Sequence, residues 1–162
     1  MAPDVSPDAR AIPLLRGVLD AAMSVYLDRF LNTPPARIPQ PRADGVRPEE
    51  LLADLPTLLD RQQQVNQAGD LVARYMVAGG DDRALMAALG RLLLREDRDF
   101  HTIQTLEAAF AEYELRRGTV EGTYALIAAA RYLAAHAPTV RATGQTFQIA
   151  ERLHRGEAIY EE

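Results

Sequence analysis

Asp81-Asp82-Arg83-Ala84-Leu85-Met86-Ala87-Ala88-Leu89-Gly90-Arg91-Leu92-Leu93 is the stretch that decides the fold class. Leu85, Ala88, Leu89, Leu92 and Leu93 recur at steps of three and four, the period of one face of an α-helix. The two acids in front suit a helix N-terminus, where a carboxylate accepts from unpaired backbone N–H groups.

Downstream, the charged run Arg95-Glu96-Asp97-Arg98-Asp99 interrupts the pattern, which resumes with Phe100, Ile103, Leu106, Phe110 and Tyr113. Two helices of ordinary length, the second capped by Asp97 or Asp99, account for this better than one uncapped helix over 83–116. Thr119 starts a further helix, slim with alanine at Ala125, Ala128, Ala129, Ala130 and Ala134, and Pro138 stops it. Thr139 is expected to open the last helix, which runs to about His154 and pairs with its predecessor. An acidic tail follows.

Upstream, Pro48–Leu52 reads as a short helix, after which Asp54 caps a longer one running to Val77 and ending at Gly79-Gly80. Its middle, Arg61–Gln67, is unusually polar, and Gln62 and Gly69 fall on the same stripe as Leu58, Val65 and Val72. The segment Thr33–Pro48 carries Pro34, Pro35, Pro39, Pro41 and Pro48, which favours an extended course, either a surface crossover or an arm onto a partner. A first helix is expected over Ile12–Leu31, with Pro13 in its first turn and Leu15, Val18, Leu19, Ala22, Tyr26 and Phe30 as its apolar stripe.

No stretch alternates with period two between turn signals. The expectation is one all-α domain over 1–162, an antiparallel bundle of about five to six helices with an extended Pro-rich connection near 33–48.

Composition narrows the chemistry. There is no Cys, which removes thiolate nucleophiles, disulfides and Cys-ligated clusters and suits a reducing, cytoplasmic setting. All 18 basic residues are Arg, so no Lys is present for a Schiff base or a phosphate loop. Ser6 and Ser24 are the only serines, and neither lies in a Gly-x-Ser-x-Gly turn. A net charge of −5 argues against nucleic acid, which needs a cationic face. No apolar run approaches a membrane span, and Met1–Ala9 lacks a secretory pattern.

Two polar constellations remain. Asp97 and His101 are four apart, and on one helix they would share a face, as a metal chelate or an acid–base pair. His101 lies nearly opposite the stripe through Phe100 and Ile103, which in two-layer packing makes the pair a solvated one. The second group, Arg131, His136, Arg141 and Gln145, flanks the turn at Pro138, where a helix N-terminus and guanidinium groups would attract a carboxylate or phosphate. Gln104 projects to the Asp97–His101 side and joins the candidate substrate residues. Should the two histidine helices pack together, His101, His136, Asp97 and Glu96 or Glu107 would supply donors for iron or another divalent metal.

The phrases Leu94–Ala108, Ala130–Thr139 and Tyr26–Asn32 resemble the helical C-terminal region of larger bacterial proteins described as Rieske-type iron–sulfur proteins. The resemblance implies a redox or oxygenase context, with His101, Gln104, Glu107, Arg131 and His136 as the matching polar positions. A Rieske cluster needs two Cys and two His, so this chain cannot hold one. The expected function is therefore a helical interaction or assembly domain, accessory to such a system, with a protein partner or a homodimer. The alternative is a metal- or substrate-binding oxidoreductase component using His101 and His136.

Overall fold

The structure is a computed structural model describing residues 7–31, 36–41 and 45–157. The chain is all-α, with seven helices and no strand among the described residues. It divides into two units, residues 1–37 and 38–162.

Among its described residues the first unit holds one helix, α1 (Pro7–Asp28). It starts five residues before the expected Ile12, because Pro7 supplies the preset φ of a first turn, and Pro13 lies inside it.

The second unit is a helical bundle. Its helices are α2 (Pro48–Leu59), α3 (Val65–Val77), α4 (Asp82–Leu94), α5 (Phe100–Leu115), α6 (Val120–Ala135) and α7 (Ala142–His154). The helix boundary expected at Asp54 is absent. Leu51, Leu55 and Leu59 form one buried stripe through α2, and Pro56 is accommodated within it. The break comes instead at residues 60–64, where Gln63 takes a positive φ of 58°. The polar stretch Arg61–Gln64 is thus a connection, and Gln62 is exposed rather than buried on a stripe.

Helix α6 is the centre of the unit. It packs most extensively against α3 and α5, and buries Leu126, Ile127, Ala129, Ala130, Leu133 and Ala134. Its alanines allow this close approach from two sides. Gly122 serves the same end at the α5–α6 turn: a Cβ there would meet the Arg116 carbonyl oxygen at 2.5 Å. The caps are side chains, with Asp81 accepting from Arg83 N–H, Asp99 from Thr102 N–H and Thr119 from Gly122 N–H.

Two expected packings are corrected. On α5 the buried residues are Thr102, Leu106 and Tyr113, leaving Phe100 65% and Ile103 51% exposed. Helix α7 begins at Ala142 rather than Thr139 and takes no part in the extensive helix–helix contacts, so it does not pair along α6. Of the Pro-rich connection, Pro39 and Pro41 lie against α3 and α6, in the manner of a crossover. Pro34, Pro35 and the Asp44 turn lie outside the described residues, as do Asn32 and most of the acidic tail.

Candidate functional site

The run Arg95–Asp99, which connects α4 to α5, meets the turn at Pro138 in a dense polar junction. Glu96 is its hub. The residue is only 3% exposed, and its carboxylate collects donors from one distant segment. Thr139 donates to Oε2 through its backbone N–H at 2.7 Å and through its hydroxyl at 3.0 Å. Arg141 donates to Oε1 through Nε at 2.9 Å, with Nη2 at 2.8 Å. Arg95 Nε reaches the same oxygen at 3.2 Å. Arg141 and Arg95 also both pair with Asp60, the residue that closes α2. Ends of α2 and α4 and the start of α7 are thereby joined through one carboxylate.

Burial alone pushes the Glu96 carboxyl up. The hydrogen bonds from Arg141 and Thr139 outweigh it and hold the group down to about 2. Charge-assisted bonds of this kind are the strong ones, and they compensate the burial of the carboxylate.

Asp97 has a separate task. Its backbone N–H donates to Thr139 Oγ1 at 3.0 Å, and its carboxylate accepts from Ala142 N–H at 3.0 Å. It therefore caps α7 from another part of the chain, since Arg141 at the N-cap position makes no side-chain cap bond. This corrects the expected Asp97–His101 element: α5 starts at Phe100, behind the Asp99 cap, so Asp97 is off the helix and the four-residue spacing does not put the two on one face. Asp99, lowered from its ordinary value by hydrogen bonds from the Thr102 hydroxyl and N–H, feels the charge of both His101 and His136.

The remaining expected residues scatter. His101 is exposed beside the Phe100 ring at 5.5 Å. His136 is exposed, stacks on Tyr132 at 4.4 Å, sets Nδ1 2.9 Å from the Tyr132 carbonyl and accepts from Arg98 Nη1 on its own carbonyl at 2.7 Å. Burial pulls the Arg98 guanidinium below its ordinary value, and its Nε and Nη2 are enclosed without a hydrogen-bond partner. Gln104, Glu107 and Gln145 are exposed on α5 and α7. Arg131 is half-buried and lies across Gly69 of α3.

No three His, Asp or Glu side chains among the described residues are grouped so that they could hold a metal ion. The quartet Asp97, His101, His136 and Glu107 therefore does not fit iron or another divalent cation. The carboxylate that meets Thr139 and Arg141 at the Pro138 turn is the protein's own Glu96. Arg141 is engaged with Glu96 and Asp60 in place of a ligand. From the sequence Glu96 reads only as a metal donor, and no spacing there marks Asp60 or Thr139 as its neighbours. The available signal was an acid inside a charged helix–helix connection, facing a turn whose N–H groups need an acceptor.

Two apolar surfaces stand out among the described residues. An apolar cavity of about 410 Å³ lies between the Pro-rich crossover and the bundle, lined by Pro39, Pro41, Met76, Tyr113, Tyr124 and Ile127. The other is α1, where Leu14, Leu15, Val18, Leu19 and Val25 are 75, 60, 65, 68 and 72% exposed.

Comparison with protein-family models, with curated proteins and with solved structures finds no match to this chain.

Proposed function

We propose that the chain is a helical assembly domain that docks onto another protein chain through α1. One observation carries this reading: Leu14, Leu15, Val18, Leu19 and Val25 remain at least 60% exposed on one helix. A helix at a protein surface ordinarily hides its apolar stripe, and contiguous apolar surface of this kind marks an interaction site. Each such side chain, once covered, stabilises the covered state by about 1.5–3 kcal/mol.

A membrane is the competing apolar environment, and no helix among the described residues is long and apolar enough to cross one. The net charge of −5 gives no support to nucleic acid as the partner. The polar junction at Glu96 supports an architectural part, because its charges meet one another. The Cys-free composition is compatible with a cytoplasmic setting. The resemblance to Rieske-type proteins makes an iron–sulfur protein of that class the first foreign partner to test.

The experiment is sedimentation of the protein as recovered from its own cells, with and without Leu15→Asp and Leu19→Asp together. The expected result is a native particle heavier than one chain, reduced to one chain by the two charges, with helical circular dichroism retained. A particle of unchanged mass would sink the reading.

A further inference from the structure

Ile12, Leu15, Leu19, Met23 and Tyr26 form a stripe along α1 that is symmetric about Leu19, with Leu15 and Met23 four residues to either side and Ile12 and Tyr26 seven. Resting on the assembly reading above, we infer that the occupant of this stripe is α1 of a second copy, lying antiparallel across a two-fold axis at Leu19. A stripe that reads the same in both directions is what an isologous contact requires, since each residue must meet the counterpart of its own mirror position. Ile12 then meets Tyr26 of the second copy, Leu15 meets Met23, and Leu19 meets itself.

The flanks fix the direction. At 3.6 residues per turn, Arg16 and Asp20 lie on one side of the stripe and Val18 and Ala22 on the other. In an antiparallel pair with a two-fold axis, each flank faces its own kind. Arg16 of one copy then stands about 3 Å along the axis from Asp20 of the other. Twice over, cation meets acid. Val18 and Ala22 meet their counterparts and continue the apolar contact. In a parallel pair the charged flank would face Val18 and Ala22, setting ions against apolar surface. Arg16 and Asp20, now 3.9 Å apart within one helix and largely in solvent, are free to exchange partners.

The test uses the absence of Cys, which makes any single introduced thiol unique. Under mild oxidation Leu19→Cys links two full-length chains covalently. Ile12→Cys alone stays unlinked, whereas a mixture of Ile12→Cys with Tyr26→Cys gives the mixed dimer. Arg16→Asp weakens association about three- to tenfold, and adding Asp20→Arg restores it. Linking of Ile12→Cys to itself overturns the antiparallel pairing. A particle that still depends on Leu15 and Leu19 but contains one copy of this chain with a foreign protein overturns self-pairing and leaves the assembly reading standing. A particle indifferent to charges at Leu15 and Leu19 overturns that reading itself.

Discussion

Thr139 and Glu96 are 43 residues apart, and the threonine gives the glutamate both its backbone N–H, at 2.7 Å, and its hydroxyl, at 3.0 Å, on the same oxygen. This double contact ties the α4–α5 connection to the α6–α7 turn. It also explains why α7 starts late. Thr139, which the sequence marks as a helix cap, turns its side chain to Glu96 and Asp97 instead.

Glu96→Gln keeps the shape of the hub and removes its charge. The amide nitrogen then faces donors on Thr139 or Arg141, so at least one buried donor loses its acceptor. The expected loss is about 2–3 kcal/mol at neutral pH, at the upper end for a hydrogen bond to a charged group. Urea denaturation should show it as a lower midpoint at unchanged slope.

The same carboxylate sets a pH dependence. Its pKa falls from 4.5 to about 2 on folding, so the folded state favours the ionised form. That stabilisation is complete above about 4.5, and it is lost progressively as pH drops toward 2. The shift corresponds to stability on the order of 3 kcal/mol. Denaturation midpoints measured from pH 6 down to 2 should fall more steeply for the native protein than for Glu96→Gln, the two curves converging at the acid end.

A third prediction concerns Gly69 on α3. A Cβ there would come 2.5 Å from Arg131 Nε and 3.1–3.2 Å from its Cγ and Cδ. Alanine in a helix interior ordinarily gains about 1 kcal/mol over glycine. Here it must displace the middle of the arginine side chain, so Gly69→Ala should destabilise. In an Arg131→Ala background the obstruction is gone, and the same change should stabilise by about 0.5–1 kcal/mol. A double-mutant cycle by thermal or chemical denaturation reads the reversal of sign.

The legible parts of the fold are those whose boundaries are set by local chemistry. Asp81, Asp99 and Thr119 each cap the helix that follows through a side-chain oxygen, and α4, α5 and α6 begin where those residues predict. The division of 83–116 into two helices follows from the same caps. The α2–α3 boundary was misplaced because Pro56 resembles a first-turn proline. The stripe Leu51, Leu55 and Leu59 overrides that local signal, and a positive φ at Gln63 makes the break. On α5, periodicity named Phe100 and Ile103 as core, but the inward face is set by what α6 offers, and it selects Thr102, Leu106 and Tyr113. The polar junction was legible only as composition. That its acids and arginines belong to each other depends on contacts between distant segments, such as Asp60 with Arg141, 81 residues apart, and Arg98 with His136, 38 apart, which no local pattern encodes.

Asp97 and His101, paired by their spacing, should separate in a single experiment. Asp97 accepts from Ala142 N–H at 3.0 Å and anchors Thr139 Oγ1 through its own N–H, so its carboxylate serves the start of α7. Asp97→Ala removes the acceptor at the N-terminus of that helix, at a cost of about 1 kcal/mol. Helix α7 has little other packing to hold it, so the loss should appear as local opening rather than global unfolding. Amide hydrogen exchange across 142–146 should therefore accelerate about fivefold in Asp97→Ala, the kinetic equivalent of that free energy. His101 is exposed beside Phe100 and touches neither segment, so His101→Ala should leave those amides unchanged. Equal acceleration in both variants would restore the side-chain pairing that the fold has broken, and with it a shared chemical role for the two residues.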